Sequence, residues 1–272
     1  MNSVMASAGS NRVGALRSDH LLWVIRSEWT KLWSLRSTGW TLLATVVATI
    51  GFSTLASWAV TTQPDRGPSG PLDVTGATLS GLMLGQLPIA VLGVLVITGE
   101  YSTGSIRSSL AAVPGRLRLL TAKAVVITVV GFVTGILACF PSFYLGMTFF
   151  NAHHEGVGIG EPHVLRAVIG GALLLTACGL FGYAIGILIR HTAGAITVTV
   201  ALLSVIPIVL IAIPADIVRT INKYFLSNAG DEITSVLPQP DTLGPWHGYF
   251  IFLAEVAFLL AVAAVLMKRR DA

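Results

Sequence analysis

Six long apolar runs decide what this chain can become. They span approximately Thr38–Val60, Thr75–Thr98, Ala124–Phe149, Val168–Ile189, Thr192–Ile213 and Gly248–Met267. A helix crossing the hydrocarbon core of a bilayer needs about 20 mostly apolar residues, and each run is long enough. The remaining residues cannot make a water-soluble surface, because charged residues are 11% of the chain against roughly 25% in soluble domains. This excludes a free cytosolic enzyme and a disordered tail protein. The expected fold is all-α, a polytopic membrane protein with six transmembrane helices. Arg190 and His191 alone separate the fourth and fifth runs, which suffices for a helical hairpin.

Orientation follows from the basic residues, which collect in cytoplasmic loops. Arg12, Arg17, Arg26, Lys31 and Arg36 precede the first run, and Arg107, Arg116, Arg118 and Lys123 lie between the second and third. Arg190 and the tail residues Lys268, Arg269 and Arg270 fall on the same side, giving thirteen. Arg66, Arg166, Arg219 and Lys223 make four on the other. Both termini are therefore expected in the cytoplasm, in agreement with an even span count. Acidic residues lean outward, and Glu255 alone lies within a run. The expected organisation is a cytoplasmic arm with an interfacial helix over 1–37, a transmembrane domain over 38–267 and a short tail over 268–272. The arm lacks the short apolar core and cleavage site of a signal peptide, so insertion through an uncleaved first span is expected. Cys139 and Cys178 sit inside apolar runs and read as packing residues, not as a disulfide framework.

Between the arm and the first span, Leu21, Leu22, Ile25, Trp29, Leu32 and Trp33 share one arc of a helical wheel. With Arg26, Lys31 and Arg36 beside them, they suit a helix lying along the headgroup region, started by Ser18 and Asp19. The alternative is a simple extension of the first span. The segment from Gly99 to Lys123 is the most informative connection. Glu100 ends the apolar run, Ser102 or Thr103 can cap a short helix through Leu110 and Ala112, and Pro114 and Gly115 break it. A short rigid helix there could transmit a push from a soluble partner; an ordinary solvated loop that sets topology is the competing reading.

The strings EWTKLWSLRST at Glu28–Thr38 and GEYSTGSIRSSLAAVPGRLRLLTAK at Gly99–Lys123 resemble bacterial ABC transporter permeases of the type-2 exporter class. The resemblance extends over essentially the whole chain, with the second string carrying most of it. It implies a permease subunit of an ATP-driven exporter in the bacterial cell membrane. Two permease units, identical or related, would form the pore, each docking a separate ATPase through the loop between the second and third spans. It makes Glu100, Tyr101, Gly104, Ile106 and Arg107 candidates for ATPase coupling. Arg26, Glu28, Trp29 and Lys31 become candidates for the interfacial helix and its docking face. In the long segment Pro214–His247, the helical spacing of Ile217, Val218, Ile221, Tyr224 and Phe225 predicts a short interfacial or re-entrant helix; in the family this outer segment is often re-entrant.

The chain has no Gly-Lys pair and hence no Walker A sequence. No cofactor is expected in this chain, and ATP and magnesium would belong to the partner ATPase. Partners expected are that ATPase, a second permease copy or related permease, and membrane lipid, with no nucleic acid. Glu255, an intramembrane carboxylate, must face protein or water; with Gln86 it is a candidate for the transport pathway. An ion-coupled secondary transporter using Glu255 is the alternative function. An intramembrane enzyme is disfavoured, because no HExxH and no G-x-S-x-G occur. His153, His154, Glu155, Glu161 and His163 share one loop but match no strong metal spacing, and they read as a solvated loop. Gly81/Gly85, Gly131/Gly135 and Gly182/Gly186 allow close helix packing within the bundle. Pro88, Pro141 and Pro207 can kink their spans. The sparse charge mildly favours an amphipathic or hydrophobic cargo.

Overall fold

The structure, a computed structural model, describes residues 21–62, 73–106, 115–213, 216–237 and 242–269. Every regular element among them is helical, and six helices are long and apolar enough to cross a membrane. The spans run Arg36–Thr62, Val74–Thr103, Arg116–Ala152, Val164–Ile189, Thr192–Ile211 and Pro245–Met267. A multi-pass membrane protein follows. Arg66, Arg107 and the caps Ser18 and Asp19 lie outside the described residues.

Two boundaries differ from the sequence expectation. The second span continues to Thr103 and ends at Gly104, whose φ of 71° is left-handed. Ser102 and Thr103 therefore sit in its last turn, where their hydroxyls donate back to the Gly99 carbonyl at 3.0 and 2.9 Å. They do not cap a new helix. Glycine stops the helix here because the left-handed conformation costs it nothing. The third span begins at Arg116, a full two turns before the apolar run, as one helix of 37 residues. Most of the expected coupling helix, 107–114, is outside the described residues.

The fourth span is the hub. Its most apolar window is 78% buried, against 22% for the first, fifth and sixth spans. It packs on the second, third, fifth and sixth spans, whereas the long part of the second span, Leu82–Thr103, has little direct packing on the third. Small residues make this possible. A Cβ at Gly93 would collide with the Gly179 carbonyl, and one at Gly182 with the Ala90 carbonyl. The pairs read from sequence act likewise: Gly135 lies against Ala172 and Gly131 against Thr176.

The first span is polar inside and apolar outside. Its buried residues are Thr38, Thr45, Thr49, Ser53, Ser57 and Thr61, while Trp40, Leu43, Val47, Leu55 and Trp58 are exposed. The inner hydroxyls do not demand distant partners, because Thr49 and Ser57 donate to the carbonyls one turn back at 2.7 and 2.8 Å. What they offer is a narrow face. Gly81 settles on it, with its N–H donating to the Ser53 hydroxyl at 2.9 Å. Gly81 also marks a break in the second span between Val74–Leu79 and Leu82–Thr103.

The fifth span is interrupted as well. Residues Ala201–Val205 form a π-helical turn between Thr192–Val200 and Ile206–Ile211. Pro207 supplies no N–H to the Leu203 carbonyl one turn back. The Ser227 hydroxyl donates to that carbonyl instead, at 3.1 Å. Ser227 belongs to a short helix, Leu226–Asp231, that follows the helix Asp216–Lys223. The shorter helix packs against the fourth and sixth spans. Ala229 is fully buried, and a Cβ on Gly230 would meet Phe252 at 2.7 Å and Leu174 at 2.9 Å. Part of the 214–247 segment is thus tucked into the bundle end, but it is not the part with amphipathic spacing: Ile217, Ile221 and Tyr224 are exposed.

Candidate functional site: a charged joint at the terminal end of the bundle

Residues 21–34 form a helix that breaks at Leu35 before the first span begins. Leu22, Trp23, Trp29 and Trp33 are exposed on it, with the Trp29 and Trp33 rings 6.0 Å apart. Arg26 is exposed too. This outward face has the tryptophans and cation that favour a lipid headgroup layer. Leu32 and Glu28 turn inward and are 4% and 5% exposed. Glu28 therefore does not lie on an outer docking face with Arg26 and Trp29.

Inside, Glu28 meets Lys123, which is 2% exposed. The Lys123 ammonium donates to Glu28 Oε2 and, at 2.9 Å, to Glu100 Oε1. Lys31 closes the group, donating to Glu28 Oε1 at 2.8 Å and Glu100 Oε1 at 3.2 Å. Two carboxylates and two ammoniums thus tie the surface helix to the end of the second span and the start of the third. Burial disfavours the Lys31 charge, but bonds to Glu28 and the charges of Glu100 and Glu28 outweigh it, holding its pKa above the ordinary 10.5. A cavity of about 450 Å³ adjoins the group, lined by Leu95, Ser102, Thr103 and Ser105 as well as its charged members.

The rest of the candidate coupling segment is stitched to the same end. The Arg190 guanidinium lies 5.3 Å from the Tyr101 ring centroid, which joins the second span to the turn between the fourth and fifth. Such a contact contributes about 0.5–1 kcal/mol where solvent reaches it. Ile106, 4% exposed, belongs to an apolar cluster with Leu119, Ile127, Tyr183 and Met267. Arg116 donates to the Met267 carbonyl at 2.7 Å, and Tyr183 to the Leu120 carbonyl at 3.2 Å. Gly104 provides the turn itself.

Of the sequence candidates, Glu28, Lys31 and Glu100 are brought together, with Tyr101, Gly104 and Ile106 beside them. Arg26 and Trp29 face away. Lys123 completes the group, although in the sequence it reads only as a topology charge. A signal was present: Glu100 closes one apolar run and Lys123 immediately precedes the next. Opposite charges at the two ends of a helical hairpin meet at one depth.

Gln86 and Glu255 lie elsewhere. Gln86, 3% exposed, donates to the Met83 carbonyl at 3.2 Å and accepts from the Cys178 thiol at 3.7 Å. The N–H of Leu226 points at the Glu255 carboxylate, at the start of the tucked helix. Glu255 Oε2 is buried with no hydrogen-bond partner among the described residues. The two candidates do not share a site. In the histidine-rich loop the side chains are exposed, and Glu161 accepts from the Gly158 N–H at 3.0 Å. No group of metal-ligating residues occurs among the described residues.

Comparison with protein-family models gives no match, and comparison with curated proteins gives none.

Proposed function

We propose that the chain is the permease subunit of an ATP-driven ABC exporter, working as a dimer with a second copy or a related permease and docking a separate ATPase. The observation that carries this reading is the charged joint. It gathers the surface helix, the segment flanking 107–114, the 190–191 turn and the end of the sixth span at one end of the bundle. That end carries the basic residues that favour a cytoplasmic position. A force applied to the loop between the second and third spans would act on Glu100 and Lys123 together, and through them on the surface helix. Ile106 and Tyr101 would pass the same displacement to the fourth and sixth spans. ATP and magnesium would act on the ATPase, since the chain has no Walker A sequence. The expected location is the bacterial cell membrane with both termini in the cytoplasm.

Affinity purification of the tagged chain from its native membrane tests this. A Walker-motif ATPase should co-purify, and reconstituted transport should stop without ATP. Transport that continues without ATP and collapses with the proton gradient would overturn the reading. That outcome would favour ion coupling through Glu255, whose buried unpartnered oxygen is the observation behind the second reading.

A further inference from the structure

At the opposite end of the bundle lies a second cavity, of about 320 Å³. Three irregularities of the fold create it. The break in the second span forms one wall, the π-helical turn of the fifth a second, and the tucked helix Leu226–Asp231 a third. Met83, Pro207 and Ile208 give it apolar surface, and Gln86 lies among its lining residues.

Most polar atoms along its walls are already engaged. Ser227 donates to the Leu203 carbonyl, Asn228 donates to Asn222 Oδ1 at 2.6 Å, and Thr234 donates to the Asp231 carbonyl at 2.7 Å. Two are not. The Ser204 hydroxyl is buried without a hydrogen-bond partner, and no ion pair among the described residues engages Asp231. Asp231 is half-buried, and this partial burial, then the neighbouring charge of Glu232, push its carboxyl up to about 7. A carboxylate so placed gains from a cation that enters beside it.

The lining contains no lysine or arginine, so nothing in it would hold an anion. One carboxylate without histidine or a second acid is a poor set for a metal ion. Apolar walls around a single acid suit an organic cation, and the volume falls at the small end of ligand sites. We propose that this cavity binds the cationic head of a small amphipathic amine or quaternary ammonium compound, with Asp231 as counter-ion and Ser204 as a polar contact. As a binding site the assignment stands on the cavity; as the cargo class of an exporter it rests on the function proposed above.

The test uses the full chain in lipid nanodiscs, without ATPase, so its result is independent of whether an ATPase co-purifies. Benzyltrimethylammonium is titrated calorimetrically, with benzenesulfonate as the oppositely charged control. Binding of the cation alone is expected. Asp231→Asn should weaken it about tenfold or more, the loss typical when a desolvated charge loses its partner, and Asp231→Glu should keep most of it. Ser204→Phe fills the cavity with the charge intact and should abolish binding. Lowering the pH from 8 to 6 should weaken binding in the unaltered chain as Asp231 protonates. The titratable groups on the surrounding elements include Glu232, Lys223, Arg166, Cys178, Tyr183, His247, Tyr249 and Glu255, and among them Glu232 acts directly on Asp231. Equal uptake of cation and sulfonate would overturn the proposal. So would undiminished binding in Ser204→Phe, or in an Asp231→Asn chain that elutes as the unaltered protein does.

Discussion

Replacing Lys123 with methionine should be among the most damaging single changes at the terminal end of the bundle. Lys123 is 2% exposed and serves both Glu28 and Glu100. Methionine keeps the length of the side chain and removes its charge. Glu100 Oε1 then retains Lys31 at 3.2 Å, but Glu28 Oε2 loses its donor while Glu28 stays 5% exposed. Lys31 keeps its bond to Glu28 Oε1 at 2.8 Å, so two carboxylates are left sharing one ammonium; removing one partner from a buried ionic group costs about 3–5 kcal/mol, because the excess charge stays desolvated. A solvent-exposed pair would cost about 1 kcal/mol at most. Equilibrium unfolding in mixed micelles titrated with SDS separates these values. The double variant Glu28→Gln/Lys123→Met removes one charge of each sign, so its cost should fall short of the sum of the single variants by about 1–3 kcal/mol. A loss under about 1 kcal/mol for Lys123→Met, or strict additivity of the two changes, would refute a desolvated joint.

Other outcomes follow from the same geometry. Lys31→Ala should cost no more than about 1 kcal/mol in the same unfolding assay, because its side chain is 44% exposed. Its raised pKa means that its contribution is complete below the ordinary 10.5 and is lost only as pH rises through the higher folded value; unfolding curves at pH 8 and 10 should show no loss from this residue. Gly93→Ala should destabilise the bundle by about 1–3 kcal/mol, since the new methyl collides with the Gly179 backbone, whereas Gly51→Ala meets nothing within 4 Å and should be tolerated. Ser227→Ala should cost about 1–3 kcal/mol by removing the donor to the Leu203 carbonyl, and less in a Pro207→Ala background, where residue 207 regains an N–H.

Hydrophobic run length made the six spans legible to within a few residues, because membrane crossing is a constraint on length and polarity alone. It could not see the two extra turns at Arg116–Lys123. Arg116, Arg118 and Lys123 interrupt the apolar pattern there, and the stretch is helical because Ile106, Tyr183 and the acids at 28 and 100 give it places to pack. The arc of Leu21, Leu22, Ile25, Trp29, Leu32 and Trp33 made the helix over 21–34 legible, but the structure divides that arc, with Leu32 buried and Leu22, Trp29 and Trp33 exposed. The inward aim of Glu28 was invisible without knowing that Lys123 waits at that depth. The π-helical turn was equally hidden. Pro207 signals an irregularity, but the form it takes depends on Ser227, a residue 24 positions from Leu203. The cavity that contains Asp231 exists only when three such irregularities coincide.

The central position of the fourth span also sets an order of events. A membrane chain emerges from the ribosome in sequence, so the first three spans enter the bilayer before their hub is made. The second and third spans adjoin in sequence, yet their direct contacts lie towards their ends, Thr78 against Gly146 and Glu100 with Lys123, and over much of their length the fourth packs on both. Until it arrives, the glycine notch at Gly93 and the side chain of Gln86 have lipid or an insertion partner as company in place of Gly179 and Cys178. Completion of the fourth span is thus the commitment point of assembly. A chain interrupted just before it would keep the packing of its first span on the second and third and lack the hub on which the other spans converge.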